Sequence, residues 1–583
     1  MTVVKDACMH MVNVSFQDCA LVIVAGASVT LVDTNFTWSH DAKDSISILA
    51  IGRKTHVSLQ RCIIQGGYQG VTVRGGATVH AVALECRGVA RMGLESHGRG
   101  SKLRLEDCSV VEMCTCSGQT STGDPGQSNA CSCSELYRTD CVGIKIHGSS
   151  AVRGERVLVE DAGIGLVVED SHANLENSTV QHCSHTCCEV GSLYSTEFVH
   201  CVFDRAMHSG LSFIEHRPHH QLGETLAQHV VRNCRFQECQ QGVIVRGPVF
   251  VAVDSCRSVG NDEGFVTAGR GVLCLSDCMS TADRFGLLSQ GASLKATDML
   301  IRDSSIVGSA VFIEDSTVEL KRCAVLGWGT SLHVRGSTVK LSGCRLRHKK
   351  ALYDALFNAL KLSHGSSVQM EDMDIKCRGC EGLSADGGST TVELVRCTID
   401  NTKRYSVAVT GRASVVMKEC QLVSSTGEGA GCKVTGAGTR LVAHDTVIDG
   451  SVGVWCSIRA TAELYACHLR TAYWGVFLSG RSEGDLQNCV LETLARSATG
   501  AAAPARTTTW GVFCTASVLH MLAVRVVSRG ASMSKGYECA LGGTVWLQAC
   551  DTDACAPYST QSGGEIFCHE CVPDDKARPD LPW

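Results

Sequence analysis

Gly242-Val243-Ile244-Val245-Arg246-Gly247, followed by Val251-Ala252-Val253-Asp254-Ser255-Cys256, holds two short runs in which apolar side chains recur at every second position. Period two is the signature of a strand with one buried face. The phrase, roughly G-V-x-V-x-G-x-x-V-x-L-x-x-C, returns along the chain. It reads as Gly286-Leu287-Leu288, as Val318-Glu319-Leu320-Lys321-Arg322-Cys323 and as Gly475-Val476-Phe477-Leu478. Its cysteine steps from Cys234 to Cys256 to Cys278, and again from Cys467 to Cys489, a period of about 22 residues.

Repetition at this period marks a solenoid with one coil per repeat. Gly, Ser and Asp lie between the runs, where the chain must turn. No pattern long enough for a crossover helix separates successive runs, which excludes βαβ units. Strands of so short a coil stack on their equivalents one coil away, about 4.8 Å apart. The expected fold is all-β, a single-stranded parallel β-helix solenoid of about 22 coils and about 100 Å in length. It carries loop insertions and one short inserted helix. The repeats span 1–549, with insertions near 109–141, 214–229 and 349–362; a Cys-rich cap or tail covers 550–583.

Thr34, Val157, Ser178, Met299, Met373, Thr446 and Ala523 replace cysteine at the slot after the second run. All are small or flexible, so the slot reads as a narrow interior site where Cys acts as a small hydrophobe. Stacked slot residues hold their Cβ atoms about 4.8 Å apart, whereas a disulfide needs about 3.8 Å. Free thiols are expected along this ladder.

The formal net charge of −6 lacks the basic excess of a general nucleic-acid binder, so no nucleic-acid partner is expected. No apolar stretch reaches the roughly 18 residues of a membrane-spanning helix, so no membrane partner is expected either. Met1-Thr2-Val3-Val4-Lys5-Asp6 does not read as a signal peptide. With free thiols, this points to an intracellular, reducing location, the cytoplasm first. Strand pattern begins at Val14 and Phe16 without a cap, as in a fragment of a longer chain.

The insertions carry the metal candidates. Cys114 and Cys116 face Cys131 and Cys133 across a Gly/Ser/Pro loop, and two C-x-C pairs can bind Zn²⁺ as a four-thiolate site, form loop disulfides or do neither. Cys550, Cys555, Cys568 and Cys571, with His569 inside the last pair, approach a zinc-ribbon spacing; a plain loop cap is the alternative, and Cys550 also fits the ladder slot. His216, His219, His220 and His229, with Glu215 and Glu224, form a tract that either binds metal or is a polar lateral loop. Cys377-Arg378-Gly379-Cys380, which has no second pair beside it, is a weaker metal or redox candidate, with a plain loop as the alternative. Between Lys349 and Leu362, Leu352, Leu356, Ala359 and Leu360 recur at helical spacing beside Tyr353 and Phe357. That helix packs on the solenoid or docks a partner. Trp455, Trp474 and Trp510 fall near equivalent strand positions and are the candidates for a sugar- or peptide-binding face.

The repeat resembles the right-handed parallel β-helix superfamily, which includes pectate lyases, polygalacturonases and alginate epimerases. The resemblance covers nearly the whole chain and implies a fold and its hand, not a function. The N-T-D, D-D, G-H-G and R-I-K series of polygalacturonases is absent, the nearest fragment being Ile144-Lys145-Ile146. The D-P-H motif of the epimerases is absent too. Glu160-Asp161, Glu169-Asp170 and Asp262-Glu263 are the acidic pairs a glycosidase-like reading would use, and they equally solvate turns. The function expected is a non-catalytic intracellular scaffold or recognition rod that binds protein partners through its lateral face and insertions. The alternatives are a carbohydrate-active enzyme (lyase, hydrolase or epimerase) or its degenerate descendant, and the substrate-binding part of a ubiquitin-ligase adaptor.

Overall fold

The computed structural model describes residues 1–39, 45–113, 141–215, 228–304, 308–348, 358–401, 404–423, 430–494, 510–529, 535–552 and 558–573. It is an all-β parallel solenoid of about 21 turns, with no helix among the described residues. Two compact units divide it, Met1–Leu294 and Lys295–Trp583.

Each coil holds three strands, where the periodicity of the sequence reveals two. In the coil quoted above they are Gln241–Arg246, Phe250–Asp254 and Arg257–Val259. Each pairs in parallel with its equivalent one coil away, as in Val243↔Phe265, Val251↔Leu273 and Ser258↔Ser280. The third strand is only three residues long, too short to show a period. Val243, Val245, Val251, Val253 and Cys256 point into the lumen, each 0–1% exposed.

Two backbone demands explain the fixed letters of the repeat. The residue before the cysteine slot turns the chain in the left-handed region: Asn233 has φ 52°, Ser255 53° and Asp277 50°. Asn and Asp tolerate that conformation best among residues with a Cβ. The glycine opening the first strand meets the next coil directly, since a Cβ on Gly242 would lie 2.5 Å from the Gly264 carbonyl oxygen. Backbone cannot give way there, so glycine is required.

Several expectations are corrected. Asn358–Ser363 is a strand, not the end of a helix; Leu360 pairs with Leu332 and Leu383, and Ala359, Leu360 and Leu362 are fully buried. Ladder pairing there overrides the helical spacing of the leucines. Leu352, Tyr353, Leu356 and Phe357 lie outside the described residues. His229 belongs to the strand Gln228–Arg232 rather than to a loop. It is 1% exposed, its Nδ1 hydrogen-bonds the Thr196 hydroxyl at 2.9 Å, and burial pushes its pKa down to about 4. At the slot nominated for Ala523, the buried residue is Val524, and Ala523 is the left-handed turn before it. Strand pairing also continues past residue 549: Glu565–His569 pairs with Thr544–Gln548, and Val572–Pro573 with Asp551–Thr552.

Candidate functional site

The alternation that sends Val454, Cys456, Val476 and Leu478 inward sends their neighbours outward in the C-terminal unit. Trp474 stands in register with Trp510, whereas Trp455 occupies the row of Phe477 and Phe513, three residues further along. The tryptophans therefore fill two adjoining rows of one sheet, not one. Their rings touch across coils. Centroids are 6.0 Å apart for Trp474 and Trp510, 5.2 Å for Trp474 and Phe477, 5.7 Å for Trp455 and Phe477, and 5.3 Å for Phe477 and Phe513. Tyr405 extends the cluster, 6.3 Å from Trp455, and the Lys433 ammonium sits over both rings at 5.2 and 5.8 Å. All six rings are half-buried.

At one edge the Trp510 indole N–H donates to the buried Glu538 carboxylate, which also accepts from Lys535 Nζ at 2.9 Å. Among the described residues the Trp455 indole N–H has no acceptor. A second aromatic row, missed from sequence, lies on the second-strand face. Trp546 stacks on Phe567 at 4.3 Å and on His520 at 6.3 Å. Trp546 is 45% and Phe567 41% exposed, beside exposed Val518 and Leu522. The signal was there in Val545-Trp546-Leu547, an aromatic residue between two inward positions.

Of the C-terminal metal candidates, Cys571 lies between two others, and the three sulfurs are not all within 4.8 Å of one another. The Cys571 sulfur contacts those of Cys550 and Cys568, and these contacts hold its thiol well below the ordinary value. His569 is exposed and faces Glu570 at 3.8 Å instead. Cys555 lies outside the described residues, as do Cys114, Cys116, Cys131, Cys133, His216, His219 and His220. Cys183, Cys187 and Cys188, near the histidine tract in sequence, are buried in the lumen. Among the acidic pairs, Glu160 and Asp161 come within 4.8 Å of His182, Glu169 is paired with Lys145 at 3.2 Å, and Glu263 accepts from Gln241 at 2.8 Å.

Sequence reading also missed a polar chain in the N-terminal unit. Arg74, His97, His147 and Glu169 occupy one outward row on four successive coils. Glu95 is 6% exposed and accepts from Arg74 Nη2 at 3.1 Å, while its other oxygen meets His147 Nε2 at 3.0 Å. Burial pushes its pKa up, but the bonds from His147 and Arg74 outweigh that and hold it near 2. His147 Nδ1 meets His97 Nδ1 at 2.9 Å. These residues lie about 50 positions apart in sequence across an insertion, so no local motif announces them.

With this geometry in hand, known proteins can be compared. Residues 285–448 match the family model "Right handed beta helix region". The fold is thus a right-handed parallel β-helix. No curated protein matches the chain. Among solved structures, a mutant of the PL6 family alginate lyase AlyGC is similar over 98% of this chain and 97% of that one, at 7% identity and a TM-score of 0.23. Similarity that remote does not extend the lyase activity to this chain. Among the described residues no helix is long and apolar enough to cross a membrane.

Proposed function

We propose that this β-helix is a non-catalytic recognition solenoid that binds a protein partner through the aromatic rows of its C-terminal unit. The carrying observation is the concentration of rings there: a six-ring cluster rimmed by Lys433, Lys535 and Glu538, and the exposed Trp546–Phe567 stack on the second-strand face of the same unit. Aromatic centres with a polar rim are the composition of protein-binding hot spots. Exposed apolar rows of this kind are otherwise a liability on a sheet face. A photo-crosslinking residue at Phe567 or Phe477 should capture one discrete protein, and one at Lys340 should not. Retention on alginate or pectin that depends on Trp546, or capture from all three positions alike, would overturn the reading.

The buried, unpaired thiols of the lumen support a reducing, intracellular location. The contacts of Cys571 with Cys550 and with Cys568 support Zn²⁺ as a staple of the last coils.

The carbohydrate-active alternative is favoured by one arrangement, the Arg74–Glu95–His147–His97 chain. A carboxylate fixed by Arg74 orients His147, which accepts from His97 Nδ1–H and leaves His97 Nε2 as a base toward solvent. Turnover of a polysaccharide that is lost in His97→Gln would establish that reading over the first.

A further inference from the structure

Beside the rings of the C-terminal unit runs a row of hydroxyls, two residues further along each first strand than Trp455, Phe477 and Phe513. Thr435, Ser457 and Ser479 stand in register on successive coils. Thr515, one residue past the Leu478↔Cys514 pair, continues them. All four are half-buried on the outward side. Ser457 donates to the Thr435 hydroxyl oxygen at 2.9 Å, which leaves the Thr435 proton free. Among the described residues the hydroxyls of Ser479 and Thr515 have no protein partner. The free row ends one coil before Thr435, at Thr410, whose hydroxyl donates to Asp386 at 2.8 Å. Lys433 lies over the Tyr405 and Trp455 rings, with no carboxylate partner among the described residues. The Glu538 carboxylate is already taken by Trp510 and Lys535. Rings and a surplus of hydrogen-bond donors therefore share one face.

We propose that this face binds a proline-rich segment of the partner in polyproline II form, laid across the strands along the coil stack; this rests on the protein-binding reading above. The periods match. A polyproline II segment presents the same side every three residues, about 9.3 Å, and two coils advance about 9.6 Å. One side of the segment thus meets an equivalent position on every second coil. An extended strand repeats its side at about 6.7 Å and falls out of step at once. From Tyr405 to Trp510 the rings run over five coils, four steps of about 4.8 Å, the length of two polyproline II turns. The polarity matches as well. Proline has no N–H, so the segment brings carbonyl acceptors without competing donors. The hydroxyl row and the Lys433 ammonium supply what those carbonyls lack, while proline rings pack on Trp474, Phe477 and Phe513.

The test titrates a proline decamer into the full chain, followed by tryptophan fluorescence and calorimetry, with a Gly-Ser decamer as control. The proline peptide should bind saturably and the Gly-Ser peptide should not. Phe477→Ala should weaken binding about ten-fold or more, and Ser479→Ala about three-fold. Lys340→Ala, on the second-strand face, should leave it unchanged. No saturation by about 1 mM proline peptide, equal binding of the Gly-Ser peptide, or full affinity in a folded Phe477→Ala variant would overturn the inference. If Phe477→Ala does not fold, Ser479→Ala and the comparison of the two peptides on the unmutated chain decide. Capture of a protein from a crosslinker at Phe477, with no binding of the proline decamer, would sink the proline class and leave the protein-binding reading standing. Failure of both would sink both.

Discussion

The backbone N–H of Cys234 donates to the sulfur of Cys256, one coil on, at 3.3 Å. The Cys256 thiol in turn donates to the Asp254 carbonyl at 3.2 Å. The slot residue sits in a turn, where its own amide has no ladder partner, and the side chain above supplies one. Ser178 does the same for Val157 at 3.1 Å, and Thr446 for Cys420 at 3.4 Å. Where the slot holds Cys, Ser or Thr, it thus carries a small side chain that both accepts and donates; Val157, Met299, Met373 and Val524 fill it without doing so.

This predicts an order of stability at Cys256. Cys256→Ser should stay within about 1 kcal/mol of the parent, since it keeps both bonds. Cys256→Ala should lose about 1–2 kcal/mol by orphaning the Cys234 amide, and Cys256→Asp about 4 kcal/mol or more by burying a charge without a partner. Urea unfolding would rank them; Ala more stable than Ser would refute the hydrogen-bond role.

Gly453→Ala should destabilise by about 1–3 kcal/mol, as overpacking does. Its Cβ would lie 2.3 Å from the Gly475 carbonyl oxygen. Gly260→Ala has φ 69° but nothing within 4 Å of the added carbon, so its effect should come from backbone strain alone and be smaller. Thermal melts of the two variants separate the causes.

Acid should weaken the N-terminal unit through His229. Its folded pKa, about 4, lies below the ordinary 6.5 because burial disfavours the charged ring. Above pH 6.5 both states are neutral and nothing is lost. As pH falls from 6.5 to 4 the unfolded chain takes up a proton that the folded chain refuses, so stability drops by about 3 kcal/mol in total and then levels. His229→Gln should remove this portion of the pH dependence, whatever it does to the stability at neutral pH.

Cys571→Ser should abolish any zinc held by the last coils, with Cys568→Ser reducing it and His569→Ala leaving it unchanged. Metal analysis of the three variants reads this directly. A loss on His569→Ala equal to that on Cys571→Ser would mean that the ring leaves its place beside Glu570 to ligate the ion.

The solenoid was legible because Val243, Val245, Val251 and Val253 repeat their inward positions in every coil. The third strand was not, because Arg257-Ser258-Val259 is too short to display alternation. Ladder thiols were legible as buried and single, but not as hydrogen-bonding groups, since that role depends on an amide 22 residues away. Trp474 and Trp510 were legible as partners; Trp455 was misaligned, because one full repeat from it falls on Phe477, and Trp474 pairs with Val452 instead. The Glu95–His147 contact spans 52 residues, and only the stacking of coils brings it together.

The left-handed residue before each slot, Asn233 or Ser255 or Asp277, has a consequence for how such a chain changes length. A duplication or loss of one whole repeat returns the chain to the same corner with the same donor and acceptor facing it, so the neighbours need no adjustment. A change of one residue puts a side chain where the corner must bend and turns every following strand inside out. Descent by copying whole coils is therefore the route this architecture leaves open, and unequal spacing between slots records where copying stopped and loops began to diverge.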